Sequence, residues 1–175
     1  MYNEKWSRPF RETNYSPEIF VRKILSRAHS FLGGKFIAYD IGVIHQSNGQ
    51  IQELSRSWNR LFIRSAIVYG NTYFKAALWY RLPDNPDKDE NQDIEKFIGI
   101  GELEIDKVWE KNRVQLKIIP GLDHQGAELT YSYPLREGIR YFIKASYGYG
   151  LNLIDYRHEG KKLGFGFVLA DLLSR

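Results

Sequence analysis

Gly33-Gly34-Lys35-Phe36-Ile37-Ala38-Tyr39-Asp40-Ile41-Gly42-Val43-Ile44-His45-Gln46-Ser47 reads as one long strand. Its odd positions include Ile37, Tyr39, Ile41 and Val43, and its even positions include Asp40, Gly42 and Gln46. Side chains alternate across a strand, so this segment has one apolar face and one polar face. The same alternation runs outward in both directions. In 56–69, Leu61, Ile63, Ile67 and Tyr69 lie opposite Arg60 and Arg64. In 72–82, Phe74, Ala76, Leu78 and Tyr80 oppose Lys75 and Arg81. Further strands are expected over 94–107, 111–119, 125–135, 138–156 and 161–173, with an irregular first candidate at 13–24. Turn formers mark the joints at Gly33-Gly34, Gly70-Asn71, 121–126 and Glu159-Gly160. One longer polar loop runs from Pro83 to Asp93. No segment reads as a convincing amphipathic helix, and neither a linker nor an internal repeat divides the chain. The expectation is one all-β, antiparallel domain over residues 1–175, with about nine strands.

Alternation alone fits a soluble sandwich as well as a membrane barrel. Two features favour the barrel. The strands reach the roughly 9–11 residues that cross a bilayer at a tilt. The apolar faces carry tyrosines near strand ends, where an aromatic girdle would sit. Aromatic content is 15%, with 12 Tyr and 4 Trp. Mean hydropathy is −0.45, and no run approaches the roughly 18 apolar residues of a membrane helix. A spanning strand needs no such run. In a barrel the charged faces would line the lumen as ion pairs, and Glu102 and Glu104 read as part of that lining rather than as a glycosidase pair. Gly99 and Gly101 precede no helix that could make them a phosphate loop, and Lys161-Lys162 reads as a turn.

The chain has 175 residues and no cysteine, which excludes a disulfide scaffold, a thiolate metal site and a cysteine nucleophile. Its net charge of +4 is spread out, with no dense basic run, so no nucleic-acid partner is expected. The first residues, Met1 to Trp6, carry no apolar segment of a signal peptide, so a secreted reading expects a leader upstream of them. His29, His124 and His158 show no metal-ligand spacing.

His45 and Ser47 close one strand on its apolar face, and Asn59 opens the next on its apolar face. A hairpin through residues 48–56 would bring all three together on the hydrophobic surface, where polar groups are expensive unless used. Serine, histidine and an orienting amide are the parts of an activated nucleophile. An amide can fix the imidazole tautomer but adds no full charge, so a further electrostatic element is wanted, and a metal ion would suit. Taken alone, such residues near a strand end are more often ordinary loop-edge residues.

Wider motifs add to this. Residues Ser7 to Tyr15 (SRPFRETNY), His45-Gln46-Ser47-Asn48-Gly49, and Ser55-Arg56-Ser57-Trp58-Asn59-Arg60 resemble the outer-membrane phospholipase A family of Gram-negative bacteria. So do Asn85-Pro86-Asp87, Gly126-Ala127-Glu128-Leu129 with Ser132-Tyr133-Pro134, and Gly148-Tyr149-Gly150 with Leu153-Ile154-Asp155-Tyr156. The resemblance spans nearly the whole chain. It implies a twelve-stranded transmembrane barrel in the bacterial outer membrane, with its site on the lipid-facing wall toward the cell surface. It implies calcium-dependent hydrolysis of acyl esters of phospholipids and lysophospholipids, by a homodimer. Ser47 would be the nucleophile, His45 the general base, Asn59 the orienting amide and the Gly49 amide the oxyanion donor, helped by calcium-bound water. Calcium would be met by the Gln50 carbonyl, the Ser55 carbonyl and hydroxyl, and a Ser7 carbonyl of the partner subunit. The departures are the family's signal peptide and first strands, Gln50 in place of a common basic residue, and a chain end at Leu172 to Arg175 without the usual terminal aromatic. Two other readings remain: a non-enzymatic, porin-like barrel, and a soluble ligand-binding β-domain.

Overall fold

The computed structural model describes residues 12–31, 33–85 and 89–169. Alternating sequence becomes nine antiparallel strands: β1 (Glu18–Phe31), β2 (Gly34–Ser47), β3 (Ser57–Tyr69), β4 (Thr72–Leu82), β5 (Gly101–Trp109), β6 (Asn112–Pro120), β7 (Gln125–Arg136), β8 (Ile139–Gly148) and β9 (Gly160–Leu169). Each strand pairs with its neighbours in chain order, forming one sheet from β1 to β9. Among the described residues β1 and β9 are its two edges and do not pair with each other.

The two faces differ as the alternation requires. Ile41, Val43, Leu61, Ile63, Leu78, Tyr80, Leu103, Leu163, Phe165 and others stand exposed on the outer face. Each such side chain left in water forgoes about 1.5–3 kcal/mol of burial. A face of this many would forgo more than the whole net stability of a typical domain, about 5–15 kcal/mol. Lipid against this face removes that cost. No helix among the described residues is long and apolar enough to cross a membrane, and a barrel crosses with strands instead.

The inner face is charged and paired. Asp106, 2% exposed, accepts from Lys75 at 2.8 Å and from Arg113 at 2.8 Å. Arg22 meets Asp40 at 2.8 Å, Lys117 meets Glu102 at 2.8 Å, and Lys75 also bonds Glu104. Glu102 and Glu104 are thus neutralised by basic neighbours on adjacent strands, as the inward alternation implies. A buried charge without such a partner would cost several kcal/mol.

Four expectations are corrected. The strand expected over 94–107 begins only at Gly101, because residues Ile94–Ile98 form a short helix, α1. Gly99 then takes φ 81°, and a Cβ there would lie 2.1 Å from the Pro120 carbonyl oxygen, so only glycine makes this turn. The segment expected over 138–156 stops at Gly148, and residues beyond it form turns. Lys161 and Lys162 belong to β9 rather than to a turn. The first candidate at 13–24 resolves into β1, which starts at Glu18.

α1 and the loop after β8 close one end of the sheet. Trp58, Ile94, Leu153 and Tyr156 form a buried cluster with Trp79, Phe97 and Ile98 packed against it. Arg157 forks onto Asp93 with bonds of 2.9 to 3.1 Å, and the Tyr156 hydroxyl donates to the same carboxylate. Burial alone would raise the Asp93 carboxyl. The bonds from Arg157 and Tyr156 together outweigh that and hold it below its ordinary value. Burial, reinforced by Asp93, pushes the Tyr156 phenol up.

Candidate active site

The site lies at that closed end, where β2 hands over to β3. Their ladder runs without a shift from Ala38↔Ala66 to Ser47↔Ser57, which places His45 directly opposite Asn59. Both side chains point outward and are exposed. His45 Nδ1 and Asn59 Oδ1 are 2.9 Å apart. With the proton on Nδ1 the imidazole donates to the amide oxygen, which leaves Nε2 as the basic nitrogen. Ser47, two residues along the strand, shares the outward face with His45. It is the last residue of β2, and its backbone exchanges both hydrogen bonds with Tyr15, at 2.8 and 2.9 Å.

Gly49 follows with φ 62°. A Cβ there would lie 2.9 Å from the Tyr15 ring, so both the backbone conformation and the neighbouring ring favour glycine. Gln50 and Ser55 flank a short 3-10 turn, Gln52–Leu54, in the loop that joins the two strands. Thus the structure gathers His45, Ser47, Gly49, Gln50, Ser55 and Asn59 at one end of one hairpin. Ser7 lies outside the described residues.

Four residues given no role by the sequence reading, Gln46, Asn48, Arg56 and Arg60, shape this corner. The Gln46 amide oxygen, on the inner face, accepts from Trp58 Nε1 at 2.9 Å and from Arg60 Nη2 at 2.9 Å. The Arg60 guanidinium lies 3.8 Å from the Trp58 ring centroid and 4.8 Å from that of Trp79. Asn48, 1% exposed, donates from Nδ2 to Leu54 O at 2.8 Å and accepts from the Gln50 and Arg56 amides at 3.2 and 2.9 Å. Arg56 Nη1 donates to the carbonyls of Glu53 at 2.8 Å and Ser55 at 2.5 Å. The sequence signal that could have found Asn48 is the Asn48-Gly49 step, a turn-forming pair.

Among the described residues no group of three or more His, Asp or Glu could hold a metal. Carbonyl and hydroxyl oxygens are what this corner offers, and those are oxygens that calcium accepts. The Ser55 carbonyl already faces a positive charge, the Arg56 guanidinium. The donor set therefore suits a cation held partly by water. His124 is no candidate ligand of this kind: it packs in a three-ring cluster with Phe97 and Tyr149, with centroids 4.7 and 4.4 Å away.

The chain is 35% identical over 175 residues to phospholipase A1 of Escherichia coli K12, covering 97% of this chain and 58% of that protein. It is 34% identical over 172 residues to phospholipase A1 of Klebsiella pneumoniae, again covering 97% of this chain and 58% of the relative. The chain thus spans little more than half the length of these curated relatives. The solved outer membrane phospholipase A of Escherichia coli superposes with a TM-score of 0.87 at 34% identity, over 98% of this chain and 65% of that one. A calcium-bound dimer of the Salmonella typhi outer membrane phospholipase gives 0.88 at 34% identity, over 97% and 65%. The match to the β-barrel enzyme places the nine strands as a run of barrel wall. Since the family model for phospholipase A1 matches residues 1–169, this chain belongs to the phospholipase A1 family.

Proposed function

We propose that this chain carries the hydrolytic centre of a calcium-dependent phospholipase A, cleaving acyl esters of phospholipids and lysophospholipids on the outer wall of an outer-membrane barrel. The observation that carries the reading is the 2.9 Å pairing of His45 Nδ1 with Asn59 Oδ1 on a lipid-facing surface, beside Ser47. Polar side chains are costly on such a face unless they are used. Membership of the phospholipase A1 family supports the substrate class.

Asn59 fixes the imidazole tautomer and leaves Nε2 free to take the Ser47 hydroxyl proton. Ser47 Oγ then attacks the ester carbonyl carbon. The charge that develops on the carbonyl oxygen is met by the Gly49 amide. Collapse expels the lysophospholipid alkoxide, which takes its proton from His45, and leaves an acyl-Ser47. Water, deprotonated by His45, releases the fatty acid and restores Ser47. Calcium would be held by the carbonyls of Gln50 and Ser55, the Ser55 hydroxyl and a Ser7 carbonyl from a second copy, and supplies the positive charge that the neutral Asn59 cannot. The site would face the cell surface, in a homodimer, and the strands described belong to one barrel domain.

The test is phospholipid hydrolysis in detergent micelles by the full-length protein, with calcium, with a chelator, and with Ser47→Ala. Activity that needs both calcium and Ser47 is expected. Hydrolysis indifferent to Ser47, or none at all, would overturn the reading and leave a non-enzymatic barrel.

A further inference from the structure

We infer that Asn48 is a positioning residue that sets the calcium response of this site by holding both ends of the 48–56 loop; the inference rests on the function proposed above. Asn48 stands between Ser47 and Gly49 but turns away from them, 1% exposed. Its amide has two donor hydrogens and an acceptor oxygen with two lone pairs. Three of these four capacities are used within one loop. Oδ1 takes the Gln50 and Arg56 N–H groups at 3.2 and 2.9 Å, and Nδ2 gives to Leu54 O at 2.8 Å. The Asn48 backbone N–H adds a fourth tie, to Arg56 O at 3.0 Å.

The peptide planes held this way are the ones that matter. The Leu54 carbonyl belongs to the peptide before Ser55. The Arg56 N–H belongs to the peptide after it, whose carbonyl is that of Ser55. One side chain therefore grips the planes on both sides of Ser55. The Gln50 N–H fixes the plane between Gly49 and Gln50, which sets where residue 50 begins; the Gln50 carbonyl lies in the next plane along. Both N–H groups share one oxygen, so the two amide nitrogens lie no farther apart than those two hydrogen bonds laid end to end. That closeness brings Gln50 and Ser55 within reach of one cation. A carbonyl donor has no side chain of its own to aim it, so its direction is the direction of its peptide plane.

The barrel does not depend on this clamp. The β2–β3 register is set by the ladder from Ala38↔Ala66 to Ser47↔Ser57 and by Gln46 on the inner face. Losing the Asn48 amide should therefore free the loop and leave the wall intact.

The experiment compares the full-length protein with its Asn48→Ala variant in micelles. Calcium binding is read by calorimetry, and amide hydrogen exchange by mass spectrometry. The variant is expected to bind calcium about 10–100-fold more weakly, the usual loss when a group that orients metal ligands is removed. Peptides covering residues 50–56 should exchange faster, and those covering β3 should not. A wild-type calcium isotherm in Asn48→Ala would overturn the inference, as would weakened binding accompanied by fast exchange throughout β2 and β3. If the unaltered protein itself bound no calcium, the metal dependence proposed above would fall, and this inference with it.

Discussion

Asn48 and Asn59 are the same residue type on one hairpin, and they make opposite kinds of contact. Asn59 points outward and pairs with the His45 imidazole, the base on the proposed function; Asn48 is buried and holds backbone groups. The shared outer face of His45, Ser47 and Asn59 was open to sequence reading because a period of two assigns each residue a face, and a short hairpin brings the two strands together. Nothing local could assign Asn48 in that way, since its partners are backbone groups whose direction depends on how the loop closes. Asn59→Ala should leave the His45 tautomer unfixed. Its kcat should fall on the order of 10²- to 10⁴-fold, with KM little changed. Micelle kinetics at saturating calcium would show this, and an equal fall in substrate affinity would point to a different role for the amide.

Between elements, the lumenal amide of Gln46 joins β2 to β3 from behind the site. Gln46→Leu would leave the Trp58 indole N–H and the buried Arg60 guanidinium without their shared acceptor. A cost of about 1–3 kcal/mol is expected, readable as a lower denaturant midpoint in micelles. The end closure adds a pH dependence. The Asp93 carboxyl is held below its ordinary value of about 3.9. Its contribution to stability is therefore fully present above that value and is lost as pH falls through the lower, folded value. Protease resistance of α1 and of the loop after β8 should hold from pH 7 to about 5 and drop only below about 4. Asp93→Asn should lack that resistance throughout. These were the elements hardest to read. Ile94, Phe97 and Ile98 mix with charges at spacings that suit a strand as well as one turn of helix, and five residues are too few to decide. Leu151, Leu153, Ile154 and Tyr156 continue the apolar content of β8, but Leu153 and Tyr156 pack into a cap over the sheet end rather than onto its face.

Across the whole molecule, the two faces of the sheet live in different solvents. Ile63 sits midway along β3 on the outer face, and its neighbour Arg64 turns inward to Glu18 at 2.5 Å. Ile63→Arg should cost about 2–4 kcal/mol when unfolding is measured from lipid vesicles. A neutral result would mean that this face meets water. Among the described residues β1 and β9 each have one edge without a neighbouring strand, and in lipid the backbone groups of such an edge must find partners. His45 and Asn59 point outward, away from the lumen. A reactive corner on the wall is never reached through the lumen or from the bulk phase; it is met only by molecules that drift sideways within the same leaflet. On the proposed function, encounter is a two-dimensional search. Turnover should then follow the mole fraction of ester in the surrounding surface and fall when inert detergent dilutes that surface at fixed total lipid.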